Sequence, residues 1–99
     1  MSPKHRPSNT LQPNLDNLIP VAVAIASGCE SCAEAAVARA LKQGSPRREI
    51  EETLRIIDFM GGLDCLARNV GPEAVARIGK ALRAARNKLQ QAAVITAAC

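Results

Sequence analysis

Tryptophan and tyrosine are absent from this 99-residue chain, and Phe59 is its one aromatic residue. A single aromatic side chain does not make a platform on which successive nucleic-acid bases stack. The basic residues Arg77, Lys80, Arg83, Arg86 and Lys88, in a chain of net charge +4, therefore read as a solvated face, and no nucleic-acid partner is expected. Histidine occurs once, as His5 near the start. Four cysteines among Ala-rich segments are too sparse for a secreted disulfide scaffold. Only one Cys-x-x-Cys pair exists, whereas a structural zinc site commonly uses two such pairs, so neither metal nor cofactor is expected. The apolar run 18–26 is too short to cross a bilayer, and no membrane association is expected. No stretch alternates apolar and polar residues as a half-buried strand would, which leaves an all-α fold.

What is present centres on Ser27-Gly28-Cys29-Glu30-Ser31-Cys32. An apolar segment leads in and an Ala-rich one leads out. With helices on both sides, Gly28 is the break between them and the cysteines open the second. A thiol at a helix N-terminus faces unpaired N–H groups and the positive end of the dipole. Both favour the thiolate, the reactive form. Two intervening residues place the sulfurs about one turn apart, close enough to bridge. Cys29 and Cys32 are the candidate catalytic residues, with Cys29, nearer the helix end, the expected attacking thiol. The competing reading is a pair of small apolar fillers, since cysteine often packs as a hydrophobe. The same competition applies to Cys65, which either approaches the pair as a third thiol or packs at a helix end. Cys99 is terminal and incidental.

One domain is expected at this length, with residues 1–13 as a flexible arm containing Pro3, Pro7 and Pro13, and 14–99 as the helical unit. The first helix is predicted over 18–27, with Asn17 as N-cap and Pro20 in the first turn; a start near Asn14 would place Pro20 inside the helix. Being apolar all round, it should be the most buried helix. The second helix is predicted over 30–43, ended by Gly44. The third opens on Ser45 as N-cap and Pro46 at the first position, with Ile50, Leu54, Ile57 and Phe59 or Met60 as its core stripe. Gly61-Gly62 bends or ends it. The fourth is predicted over 72–91, with Val75, Ile78, Leu82, Ala85 and Leu89 inward and Arg77, Lys80, Arg83, Arg86 and Lys88 elsewhere; the apolar tail extends it or covers a partner subunit.

Residues 18–26 followed by Ser27-Gly28-Cys29 also have the look of a lipoprotein signal, and Lys4-His5-Arg6 precedes them. In such a signal the basic and apolar regions adjoin. Here a polar stretch through Asn17 separates them, so a reducing cytoplasm in which the pair cycles is the expected setting.

The run from Asn17 through Cys32, then Ala38 to Leu41, Gly44, Glu49-Ile50 and Met60-Gly61-Gly62, resembles the carboxymuconolactone decarboxylase and alkyl hydroperoxidase D superfamily over roughly 15–90. The resemblance implies a small antiparallel helical bundle that assembles as a homo-oligomer, a trimer or hexamer. It also implies a thiol–disulfide site acting on thiols, disulfides or peroxides. The hydroperoxidase pattern Glu-x11-Cys-x-x-Cys-x3-His relays protons through its Glu and His. In this chain Asn17 and Ala36 stand at those places, and neither titrates near neutral pH. The relay does not carry over; the cysteines do. The decarboxylase branch relies on a catalytic His, and His5 in the arm does not supply it.

Two functions follow. One is a small thiol oxidoreductase or weak peroxidase using Cys29 and Cys32. The other is a non-catalytic helical module that kept the fold and lost the relay. Ionisation of Cys29 separates them: a pKa well below the free-thiol value of ~8.5 supports the first. Glu30 and Glu34 are the nearest carboxylates in sequence that could stand in for the lost base, though Glu34 should point away from Cys32.

Overall fold

The computed structural model describes residues 15–61 and 64–98, and these are helical wherever they are regular. Five helices follow in order: α1 (Leu15–Ala26), α2 (Glu30–Lys42), α3 (Arg47–Gly61), α4 (Asp64–Val70) and α5 (Pro72–Ala98). The proposed arm at 1–13, His5, Gly62 and Cys99 lie outside the described residues. No helix among the described residues is long and apolar enough to cross a membrane.

The long helix α5 is the spine. It packs against each of the other four helices, most extensively α2, while α2 also packs along α1. Where they meet, the core is built from Val21 and Ile25 of α1, Val37 of α2, Ile50 and Leu54 of α3, and Leu82 and Leu89 of α5. Between these sit Ala33, Ala40, Ala81 and Ala85, fully buried. Small residues here let α2 and α5 approach closely, and close packing compensates for the little area each alanine removes from water.

Several boundaries differ from the sequence reading. Helix α1 begins at Leu15, so Asn17 lies inside it instead of capping it, and Pro20 is interior. The early start brings Leu18 onto the core and puts Asp16 in the first turn, where the dipole favours a carboxylate. Nor is α1 the most buried helix. Ile19 and Val23 are 55% and 58% exposed, because one stripe, Val21 and Ile25, meets α2 and α5 while the opposite side faces out. On α3 the inward stripe runs Ile50, Leu54, Ile57, whereas Phe59 is 69% exposed and Met60 also faces solvent. Five residues past Leu54, Phe59 has turned through about 140° from that stripe, as 100° per residue requires. The start of α3 is shifted by one residue: its first helical residue is Arg47, and the Pro46 carbonyl accepts from the N–H groups of Glu49 and Ile50. Ser45 is buried and serves the end of α2, donating its N–H to the Ala40 carbonyl at 3.0 Å. The fourth predicted helix is α5, which continues through the apolar tail to Ala98, and α4 is a short helix the sequence pattern did not announce.

Both elbows around α2 are Schellman turns. At the first, Gly28 donates to the Ile25 carbonyl at 2.9 Å and Cys29 to the Ala24 carbonyl at 3.3 Å. Gly28 takes φ +73°, and a Cβ placed on it would come within 2.9 Å of the Arg77 Cβ on α5. At the second, Gly44 takes φ +94° with nothing within 4 Å of the corresponding position. This contrast gives a prediction. Gly44→Ala should cost about 1–2 kcal/mol, the left-handed strain alone. Gly28→Ala should cost about 2–5 kcal/mol, because overpacking against α5 adds to the same strain. Denaturant melts of the two variants measure the difference; equal losses would mean that α5 does not press on the elbow.

Candidate functional site

The elbow that packs Gly28 against α5 also builds the site. The third residue of the Schellman turn is Cys29, and the same residue is the N-cap of α2, with extended backbone (φ −100°, ψ 104°). Its carbonyl accepts from the Ala33 N–H at 2.9 Å, the first bond of the helix. Its Sγ takes the role that a serine or aspartate oxygen normally fills at a cap, accepting from the Cys32 N–H at 3.2 Å. The Ser31 hydroxyl lies 3.7 Å from the same sulfur. Ending α1 and starting α2 are thus tasks of one residue, which fixes the sulfur over the positive end of the α2 dipole.

Cys29 and Cys32 are disulfide-bonded, with Cα atoms 5.2 Å apart. The extended backbone at Cys29 lets a capping residue reach the third residue of the helix. Cys32 is exposed, whereas Cys29 is half-buried. Cys32 is thus the more exposed residue of the pair, and both border the trough described next.

Beside the disulfide lies an open trough of about 440 Å³. One wall comes from α1, through Pro20, Val23, Ala24 and Ser27. The other comes from α2, where Ala35, Ala36 and Arg39 follow the two cysteines. The lining is mostly apolar, and Arg39 is its one charged member among the described residues. On α2 the residues Cys32, Ala35, Ala36 and Arg39 are spaced at three, four and seven, so they share one face.

Of the residues singled out from sequence, the structure brings Cys29, Cys32 and Ala36 together. Asn17 does not line the trough, although it sits three residues before Pro20 on α1. Glu30 and Glu34 are exposed on α2 and do not line it either. Each is two residues from Cys32, about 200° around the helix. Cys65 stands in the first turn of α4, which packs on α3 and α5, and its side chain lies outside the described residues. Two participants were missed. Arg39 carried a signal, its seven-residue spacing from Cys32. Arg77, whose Cβ lies against Gly28, carried none, because that contact joins residues about fifty apart in the chain. On α5, Arg86 pairs with Asp58 of α3 at 3.3 Å, which ties down one of the basic positions.

An all-α unit with a disulfide capping its second helix agrees with the comparison against protein families. The chain belongs to the carboxymuconolactone decarboxylase family, whose model matches residues 5–70. That stretch takes in α1 to α4 and both cysteines of the site; α5 lies beyond it. No curated protein and no solved structure matches the chain.

Proposed function

We propose that this protein is a thiol–disulfide oxidoreductase working through Cys29 and Cys32, with weak peroxide reduction as a side activity. The observation that carries the reading is the position of the Cys29 sulfur, held at the α2 N-terminus and accepting the Cys32 N–H. A sulfur so placed is a good leaving group, because the N–H and the dipole stabilise the thiolate it becomes. In the reductive direction an incoming thiolate attacks the exposed Cys32 sulfur, the Cys32–Cys29 bond breaks, and Cys29 leaves as thiolate. A second thiolate then takes the incoming sulfur off Cys32 as a disulfide, so two electrons have passed to the pair. Run backwards, Cys32 attacks a substrate disulfide and Cys29 resolves the mixed intermediate. This role split reverses the assignment from sequence position alone, and its basis is the greater exposure of Cys32. The test is equilibration of the folded protein in dithiol–disulfide buffers, followed by alkylation and mass analysis of the peptides holding Cys29 and Cys32.

The trough walls carry no carboxylate or imidazole among the described residues, which is the basis for ranking peroxide chemistry below disulfide exchange. The family's decarboxylase activity is not proposed, because no histidine lines the trough among the described residues. A reducing cytoplasm suits a pair that cycles.

A second reading, assembly without catalysis, draws on the apolar residues that face out. Ile19 on α1, and Ile56, Phe59 and Met60 on α3, are all exposed in the single chain. We propose that these surfaces bury each other in a homo-oligomer, a trimer or hexamer by family resemblance. The two readings are compatible, since assembly does not need the disulfide. Light scattering at micromolar concentration should return a multiple of the 10.4 kDa chain mass; a monomer would remove the proposed assembly.

A further inference from the structure

We propose that the trough beside the disulfide takes thiols that carry a carboxylate, and that Arg39 is the residue that selects them. The inference rests on the thiol–disulfide reading above and names its substrate class. Arg39 is the one charged residue lining a trough that is otherwise mostly apolar. Among the described residues no carboxylate is paired with its guanidinium. Seven residues separate it from Cys32, about 10 Å along the helix axis. Long helical side chains lean back over the preceding turn, so the guanidinium is carried toward Ala36 and Cys32. A molecule with sulfur at one end, a few methylenes between, and a carboxylate at the other would lay its chain along the alanines. Its thiolate would then meet Cys32 and its carboxylate would meet Arg39, which binds carboxylates in a planar fork. Glu30 and Glu34, turned about 200° from Cys32, do not face that path. On the α5 side of the elbow the neighbour of Gly28 is also a cation, Arg77.

The chemistry balances without a further reactant. The thiolate of the acid bonds to the Cys32 sulfur, and the electron pair of the Cys29–Cys32 bond passes to Cys29. A second molecule of the acid attacks the substrate sulfur of the mixed disulfide and releases Cys32 as thiolate. The acid is oxidised to its disulfide and the protein disulfide is reduced by two electrons; protons lost by the two thiols go to the protein thiolates or to solvent.

The experiment compares three probes, 3-mercaptopropionate, 2-mercaptoethanol and cysteamine, as reductants of the oxidised full-length protein, with rates expressed per thiolate at one pH. Each rate is divided by that of the same thiol with a free model disulfide, which removes the intrinsic nucleophilicity that rises with thiol pKa. In wild type the order should then be anionic, neutral, cationic, and the ratio of mercaptopropionate to mercaptoethanol should exceed one. Arg39→Gln should lower that ratio about 3–10-fold, the size of one partly screened charge contact. Arg39→Glu should invert the order. Raising the salt should shrink the wild-type ratio and leave that of Arg39→Gln unchanged. Arg83→Gln removes the same charge from α5 and should leave the wild-type ratio intact. The inference is overturned if the ratio in wild type is one or less, or if Arg39→Gln, folded by circular dichroism, keeps it. Failure of all three thiols to reduce wild type is a separate outcome: it overturns the exchange reading itself, and the inference falls with it.

Discussion

Asn17→Glu combined with Ala36→His should raise peroxide reduction by the pre-reduced protein about 10²–10⁴-fold, the usual worth of general acid–base help. A peroxide bond is cleaved by a thiolate, and the departing oxygen must be given a proton. The trough walls offer one guanidinium and mostly apolar side chains, with no carboxylate or imidazole among the described residues. Ala36 lies one turn after Cys32, half-buried on the same face of α2, so an imidazole there would stand in the trough next to the exposed sulfur. The trough, at about 440 Å³, has room for it. Residue 17 lies three residues before Pro20, on the same face of α1, and a glutamate there restores the other half of the Glu and His pattern. Steady-state peroxide consumption by wild type, Ala36→His and the double variant measures the effect. Wild-type turnover that already matches the double variant would mean that another group moves the proton; Glu30 and Glu34 would then be replaced in turn.

Cys32→Ser should reduce disulfide exchange to the buffer background, while Cys29→Ser should convert the protein into a trap. The argument is geometric. Cys32 is the more exposed residue of the pair, and Cys29 is the capping one, whose sulfur accepts a backbone N–H. With Cys29 replaced, Cys32 still attacks a small aromatic disulfide, but no neighbour resolves the product. A mixed disulfide should accumulate, visible as the added mass of half the substrate. With Cys32 replaced, the Cys29 sulfur is left in the less accessible position and should not accumulate one. The opposite pattern, a trap formed by Cys32→Ser only, would return the attacking role to Cys29, as its place at the helix end first suggested.

Much of this was legible in the sequence because it is local. Gly28 followed by Cys-x-x-Cys marks a helix end, a turn and a helix start within six residues, and the structure shows that turn with Cys29 as the cap. The end of α2 at Gly44 and the start of α5 at Pro72 were legible for the same reason. Non-local facts were not. An apolar residue on α1 is compatible with the core or with an outer face, and only the placement of α2 and α5 decides that Val21 goes in and Val23 stays out. The exposure of Phe59 has the opposite origin: the 100° step from Leu54 turns it outward, and its hydrophobicity alone does not draw it into the core. The steric need for glycine at position 28 is double, backbone and contact, and its second half comes from Arg77 on a helix about fifty residues later. The trough follows from the α1–α2 pairing, so its single cation, Arg39, becomes visible once those two helices are laid side by side.

The most direct test of the account is the redox titration of the Cys29–Cys32 pair in the folded protein. Equilibrated in dithiol–disulfide buffers and trapped by alkylation, the fraction of reduced peptide should follow a two-electron curve. Its midpoint should lie between about −120 and −270 mV, the span of proteins that exchange disulfides for a living. A midpoint below about −300 mV would mark a structural disulfide. That result, or links found only between chains through Cys99, would contradict the claim that this pair is the working centre of the protein.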